Sequence, residues 1–421
     1  MERIKNSARA VAPWSLLAGP KLGALGAAAV ILAGCSFTHG PAHLAIAGSS
    51  ASAPRPATST VERWGSFFAA SEPNTDTAAS PVTVKLPGRV AEVGSSNSTE
   101  YALLTNGSLY AWGLGGQGEL GDGNLVDSPT TPVRVDFPRG VKIAYLPTDV
   151  MPYDTALAVD TKGVAWGWGD DADGELCLGH DGIQSTPVRL PFSHVTSLSG
   201  AADHDLYDAG GTVYACGQNV EGDLGSGSLA STTTPVKVVG IKGSAVTRLV
   251  TSFANSGALL SDGRYYDWGY GGLGQLGDGT FALSSDVPVL VRLPHRVTQV
   301  ALGGSVFTNG QTLAMLSDGS LWSWGDNHGY QLGNQATSAP QDLPMQFAAP
   351  KGVIYKLLAT GAATSYAIST AGNVYAWGVS FEGQAGDGNY RVARTPVLIA
   401  HGATQISATA NNAVINVPGK T

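Results

Sequence analysis

The chain has 421 residues, of which 56 are glycine, 43% are hydrophobic and 13% are charged, and its formal net charge is -8. This composition describes a folded chain with many tight turns and excludes a disordered protein. The acidic balance argues against nucleic acid as a partner, because nucleic acids are bound by clusters of Lys and Arg.

Residues 1–34 are predicted to form a bacterial lipoprotein signal peptide. Four basic residues precede an apolar run from Leu22 to Ala33, which is shorter than the about 20 residues that a transmembrane helix needs. The run ends in Leu32-Ala33-Gly34-Cys35, which resembles a lipobox. Cys35 is therefore predicted to be the lipidated first residue of the mature protein, and an ordinary secretory peptide is the alternative.

Residues 35–58 are expected to form a disordered tether. They consist mainly of Ala, Ser, Pro, Thr, Gly and His, with Arg55 as the single charged residue. Such a segment buries too little apolar surface to offset its ordering entropy. The protein is therefore expected outside the cytoplasm, lipid-anchored on the outer side of the cytoplasmic membrane or on the outer membrane.

Residues 59–421 contain a repeat of about 50 residues, which is marked by Trp-Gly and followed in most copies by a Gly-x-Leu-Gly tail. The seven anchor residues are spaced 48 to 56 residues apart: Trp64, Trp112, Trp168, Cys216, Trp268, Trp324 and Trp377. A second marker, mostly Thr-Pro-Val, recurs in step at Pro81, Pro132, Pro187, Pro235, Pro288, Pro344 and Pro396, where each proline is expected at the first position of a strand. Both markers predict seven units.

Each unit is expected to be a four-stranded antiparallel blade. The segment Gly107–Gly113 alternates in polarity after a turn glycine, as a strand does, and four short strands with their turns fill one unit. The fold class is therefore all-β, a seven-bladed β-propeller. After the sixth full unit the chain ends in two strand-like segments from Ala403, and Trp64 has no preceding strands, so pairing of the N- and C-terminal strands is predicted to close the ring.

This repeat resembles that of the regulator of chromosome condensation family. The resemblance extends from about Thr60 to the end and is strongest at Gly107–Gly123, Gly263–Gly279 and Gly319–Gly333. Propellers of that family include a nucleotide-exchange factor for a small GTPase and a secreted bacterial β-lactamase inhibitor, so the resemblance implies protein recognition by loops. The family's Gly-x-x-His is matched only near His204, and a basic nuclear tail has no counterpart here.

Three patterns that resemble chemical sites are interpreted as structural. Two Gly-x-Gly-x-x-Gly stretches, from Gly113 and from Gly269, fall in repeat phase and lead into no helix, so a dinucleotide site is not expected. The aspartates Asp170, Asp171 and Asp173 lack the full spacing of a calcium loop and are interpreted as an exposed turn. No metal site, other cofactor or catalytic residue is predicted.

The two remaining cysteines, Cys177 and Cys216, show no spacing that requires a disulfide. Because Cys216 stands at a tryptophan position, a buried free thiol is expected there, with a disulfide as the open alternative.

The loops after each Trp-Gly differ in sequence, while the motifs that flank them recur. These loops are expected to lie together on one rim of the propeller. Aromatic and other apolar residues on such a rim are typical of a protein interface. The predicted partner-binding residues are Phe67, Phe68, Leu114, Tyr270, His328, Tyr330 and Phe381. A competing surface is the set of loops that contain Tyr153, His204, Phe253 and Phe307.

The sequence therefore favours a monomeric, membrane-anchored propeller that binds or inhibits an unidentified protein partner and is not an enzyme. One alternative is an enzyme that hydrolyses or cleaves envelope polymers, because other propellers catalyse such reactions and the fold alone does not decide function. The other is an exchange-factor-like regulator, by analogy with the family.

Overall fold

A computed structural model describes residues 59–66, 77–96, 99–147, 154–304, 310–334, 337–409 and 412–419. The chain divides into residues 1–30 and residues 31–421, and every element below belongs to the second unit. The predicted signal peptide, Cys35 and the predicted tether lie outside the described residues.

The described residues form 28 strands in seven four-stranded antiparallel sheets. Blade 1 contains β3 (Val90–Ser95), β4 (Thr99–Leu104), β5 (Leu109–Gly113) and β6 (Ser128–Arg134). Blade 2 contains β7 (Ile143–Tyr145), β8 (Thr155–Asp160), β9 (Ala165–Asp171) and β10 (Gly182–Arg189). Blade 3 contains β11 (Val195–Gly200), β12 (His204–Ala209), β13 (Thr212–Gly217) and β14 (Thr232–Lys237). Blade 4 contains β15 (Val246–Ser252), β16 (Asn255–Leu260), β17 (Tyr265–Tyr270) and β18 (Ser284–Val291).

Blade 5 contains β19 (Val297–Gly303), β20 (Gln311–Leu316), β21 (Leu321–Gly325) and β22 (Gln341–Phe347). Blade 6 contains β23 (Tyr355–Thr360), β24 (Thr364–Ser369), β25 (Val374–Gly378) and β26 (Ala393–Ala400). Blade 7 contains β27 (Gln405–Ala408), β28 (Asn412–Pro418), β1 (Ser59–Ser66) and β2 (Thr77–Val84). The prediction of a seven-bladed all-β propeller is confirmed.

Blade 7 joins the two ends of the chain. Strand β1 pairs with β28, so that Trp64 lies opposite Ala413, and β2 pairs on the other side of β1. The predicted closure by N- and C-terminal strands is therefore confirmed. It leaves no unpaired sheet edge between the first and last blades.

In blades 1 to 6 the strands run outward in chain order, and in blade 7 the order from the centre is β27, β28, β1 and β2. First strands of neighbouring blades pack against one another around the centre, second strands are buried, and fourth strands are half-buried with some exposed residues. The repeated prolines lie inside the fourth strands and not at their first positions, as at Pro132 in β6. The register of the pairing between β5 and β6 shifts where Pro132 lies. The missing N–H of Pro132 therefore removes no hydrogen bond between the two strands, and β6 is the outer edge of its blade.

The anchor tryptophans connect neighbouring blades. The indole Nε1 of Trp168 in blade 2 donates a hydrogen bond of 2.8 Å to the carbonyl of Glu119 in blade 1, and Gly121 lies against the same ring. The same contact recurs at four further interfaces: Trp268 with Asp223, Trp324 with Gln275, Trp377 with Gln331, and Trp64 with Gln384. The Gly-x-Leu-Gly tail is therefore the surface that receives the next blade's tryptophan.

The interface between blades 2 and 3 contains a disulfide instead. Cys177 and Cys216 are bonded, with their Cα atoms 5.4 Å apart, so the expectation of a free thiol at Cys216 is wrong. Cys177 replaces the last glycine of the tail and keeps a positive φ of 60°, as Gly121 does at 64°. Cys216 replaces the tryptophan. Both members of one contact pair have therefore become cysteine.

The interface between blades 7 and 1 contains a buried ion pair. Arg63 on β1 donates a 2.9 Å hydrogen bond to Glu100 on β4 and a 3.0 Å bond to the carbonyl of Pro129. Both charged side chains are less than a tenth exposed. Burial raises the pKa of Glu100, and Arg63 opposes that rise.

Candidate functional site

One end of the propeller is formed by two sets of connections. These are the turns between first and second strands and the longer loops between third and fourth strands, and we call their common surface the loop face. The Trp-Gly pairs lie at or near the ends of the third strands, and the longer loops that follow them contain the Gly-x-Leu-Gly tails.

The two sets are hydrogen-bonded to each other within each of blades 2 to 6. The residue after Trp-Gly donates its N–H to the carbonyl that precedes the second strand, as in Tyr270 to Ala254 at 2.7 Å. The matching bonds join Asp170 to Asp154, Gln218 to Asp203, Asp326 to Gly310 and Val379 to Ala363. The two surfaces treated above as competitors therefore lie on one face, because alternate connections of an antiparallel blade emerge at the same end.

The loop face is acidic. Its described connecting segments contain fourteen acidic residues and one basic residue, Arg391. The acidic residues are Glu119, Asp122, Asp127, Asp154, Asp173, Glu175, Asp181, Asp203, Glu221, Asp223, Asp278, Asp326, Glu382 and Asp387. A surface of this charge attracts cationic groups.

Crowding of carboxylates is strongest across blades 1 to 3. Burial raises the pKa of Asp154 from its usual 3.8 to about 7, and Glu119, Asp170 and Asp173 raise it further. Burial also raises the pKa of Asp223 to about 7, with His204 opposing the rise. A nearby positive charge would lower both pKa values, because it stabilises the ionised carboxylates.

Asp203, His204 and Ser256 form a chain of hydrogen bonds that resembles a catalytic triad. The imidazole nitrogens of His204 lie 3.0 Å from Asp203 Oδ1 and 2.8 Å from Ser256 Oγ. However, His204 and Ser256 are fully buried, and Ser256 Oγ also donates to the carbonyl of Asp223. A nucleophile must reach its substrate. These hydrogen bonds instead connect blade 3 to blade 4.

The predicted partner-binding residues lie in four separate blades. Leu114 is half-buried, and its carbonyl accepts a 2.8 Å hydrogen bond from Thr99. Tyr270 folds back over its own loop, where Gly272 leaves room for the phenol. Phe381 is 63% exposed. Phe67 and Phe68 lie outside the described residues, as do Tyr153 and Phe307 of the competing set.

His328 and Tyr330 share one loop of blade 5. The His328 ring is mostly exposed and contacts the carboxylate of Asp326. Tyr330 adopts a positive φ of 63°, and the guanidinium of Arg394 in blade 6 lies 4.4 Å from the centre of its ring. Tyr330 therefore contributes to contact between blades, as well as to the surface.

Several exposed apolar side chains of the loop face were missed by the sequence analysis. They lie mostly farther along the same loops, in blades 1, 3, 4 and 6: Leu125, Val126, Val220, Leu229, Phe281, Leu283 and Tyr390. Leu283 is 76% exposed. A search that continued past the Gly-x-Leu-Gly tail would have found most of them.

Other site types were sought in the described ranges. No group of three or more His, Cys, Asp or Glu residues in these ranges is arranged to hold a metal ion. Within the same ranges, no helix has the length and apolar character needed to span a bilayer.

Comparison with known proteins agrees with the repeat. The family model described as "Regulator of chromosome condensation (RCC1) repeat" matches residues 106–146, 210–252, 262–307 and 318–368. The ultraviolet-B receptor UVR8 of Arabidopsis thaliana is 28% identical over 278 residues, which are 64% of this chain and 61% of the receptor. The chain thus spans less than two thirds of that relative's length.

Two solved structures share the fold. Human WBSCR16 has a TM-score of 0.74 at 17% identity, with 86% of this chain and 100% of that chain covered. Prp20p of Saccharomyces cerevisiae has a TM-score of 0.73 at 20% identity, with 88% of this chain and 93% of that chain covered. The chain therefore contains four segments that match the RCC1 repeat, and its fold is a seven-bladed propeller.

Proposed function

We propose that the protein is a lipid-anchored, extracytoplasmic binding module whose loop face recognises a protein with a basic surface. The observation that carries the proposal is the combination of charge and apolar exposure on that face. The loop face combines fourteen acidic residues, of which Glu119, Glu175, Asp223 and Asp326 are buried, with exposed apolar residues such as Leu283 and Phe381. Apolar anchors supply most interface energy, while charge complementarity selects and steers the partner.

The disulfide supports the extracytoplasmic part of this proposal. Disulfides persist in oxidising compartments such as the bacterial periplasm and are rare in the cytosol. Cys177 and Cys216 form one between blades 2 and 3. Together with the lipobox-like sequence before Cys35, this favours a protein that is exported and then anchored.

Protein binding is also reported for a structural relative. The structure of Prp20p is described together with its binding to Gsp1p and to histones. Histones are basic proteins, so a propeller of this fold is compatible with a cationic partner. For the present chain, a partner with a basic surface is proposed from the acidic charge of its own loop face.

The proposal is tested by capture from the cell envelope with matched variants of the full chain. Leu283→Ser with Phe381→Ser alters the loop face, and Leu343→Ser with Leu398→Ser alters exposed apolar residues of the outer strands β22 and β26. We expect the first pair to reduce capture of a specific protein at least about tenfold, as loss of a hot spot does. The second pair should capture it like the unaltered chain.

Capture should also weaken as salt concentration rises, because salt screens exposed charges. Loss of capture by the outer-strand pair, with no loss by the loop-face pair, would place the interface elsewhere on the propeller.

A further inference from the structure

The end of the propeller opposite the loop face is basic. It is formed by the hairpins between second and third strands and by the connections that lead from one blade to the next, and we call it the base face. Its described connecting segments contain three acidic residues, Asp136, Asp262 and Asp318. They contain ten basic residues: Lys85, Arg89, Arg139, Lys142, Lys162, Lys242, Arg264, Arg292, Arg296 and Lys351.

The basic residues surround the base face. Five of the seven connections between blades contain Lys or Arg, and the other two contain the exposed histidines His194 and His401. Exposed basic side chains lie on widely separated blades, as Lys142, Lys242 and Lys351 show. Arg264 is an exception, because Asp262 lies 2.8 Å from it and neutralises it locally.

The N-terminal segment enters the propeller at this same face. Ser59 begins β1 opposite Pro418 on β28, and Val61 pairs with Val84, the residue before Lys85. Pro418 and Arg89 line one surface groove. The first described strand, β1, therefore begins close to the basic residues Lys85 and Arg89.

We infer that the base face lies against the anionic headgroups of the membrane to which the chain is anchored. The inference rests on the lipid anchor proposed above. A lipid anchor and a cationic surface act as two membrane-binding signals that strengthen each other. The loop face then points away from the bilayer, towards the partner.

The test measures binding of the mature chain, residues 35–421 carrying Cys35→Ala, to lipid vesicles by flotation. The vesicles contain either phosphatidylcholine alone or phosphatidylglycerol and phosphatidylcholine at about 3:7. One variant reverses two base-face charges, Arg139→Glu with Lys142→Glu. The matched control reverses two charges at the loop-face end of blade 6, Arg391→Glu in the loop and Arg394→Glu at the start of β26. All four residues are exposed.

We expect the base-face variant to lose anionic-vesicle affinity by roughly fivefold for each charge removed. The loop-face variant should bind like its parent, although its net charge is the same as that of the base-face variant. Equal losses in the two variants, or no loss in either, would overturn the inference. Because the test protein lacks Cys35, this result is independent of acylation, which is measured separately.

Discussion

Cys177 and Cys216 are bonded at the two positions where five other blade interfaces pack a glycine against a tryptophan. At these five interfaces the tryptophan indole donates to the preceding blade's carbonyl, as Trp168 does to Glu119. The disulfide therefore replaces a packing and hydrogen-bonding contact with a covalent one. The equivalence of the two contacts can therefore be tested by replacing the two cysteines with glycine and tryptophan.

Replacing both cysteines by alanine should destabilise the propeller, because a disulfide typically contributes about 2–4 kcal/mol. Cys177→Gly with Cys216→Trp should recover part of this loss by restoring the contact pair. Melting temperatures measured with and without reductant distinguish the variants, and only the unaltered protein should respond to reductant. A glycine–tryptophan variant that melts no higher than the alanine variant would contradict the proposed equivalence.

The disulfide shows where sequence reasoning stopped short. Cys216 was placed correctly at a tryptophan position, but Cys177 was not compared with the glycine that touches that tryptophan. The sequence Gly174-Glu-Leu-Cys177, where other units have Gly-x-Leu-Gly, contained the signal.

Strand order and closure were predictable because the Trp-Gly and Pro markers are local and recur in phase. The segregation of charge between the two faces was not noticed, because net charge averages over both ends. Asp223 and Lys242 can be assigned to opposite faces only when the order of the strands is known, because that order determines at which end of the propeller each connection lies.

Deleting residues 1–66 should destabilise the whole ring, whereas deleting residues 1–58 should not. The longer deletion removes β1 and the fully buried Trp64, exposing the sheet edges of β2 and β28. Loss of a buried tryptophan alone costs about 3–5 kcal/mol. Thermal unfolding of the two truncated chains is the measurement, and equal melting temperatures would show that β1 does not close the ring.

Stability should increase as the pH falls from 8 to 5.5, as far as Asp154 and Asp223 determine it. Both have pKa values of about 7 in the folded chain and ordinarily titrate near 3.8, so the folded state binds more protons between these values. Their contribution to the free energy of unfolding therefore declines as the pH rises through this window.

Asp154→Asn should reduce this pH dependence, and Asp278→Asn, at an exposed loop position, serves as the control. The measurement is the melting temperature across the pH range. An unchanged slope in the Asp154 variant would argue against a raised pKa of Asp154 in the folded chain.

Cys35→Ala should abolish lipid attachment and leave an uncleaved precursor, because no other cysteine lies near the apolar run. Metabolic labelling with a fatty-acid analogue is the measurement, and Cys177→Ala with Cys216→Ala is the control that retains Cys35. Persistent label on the Cys35 variant would rule out the lipoprotein assignment.

The most direct test of the loop face as the partner-binding surface is site-specific photo-crosslinking of the full chain in the cells that produce it. A photoreactive amino acid replaces one exposed residue at a time: Leu283 or Phe381 on the loop face, Leu343 on the outer strand β22, and Ile354 on the base face. We predict a discrete protein adduct from Leu283 and Phe381 and none from Leu343 or Ile354. A protein adduct from Leu343 or Ile354, with none from the two loop-face positions, would contradict the account.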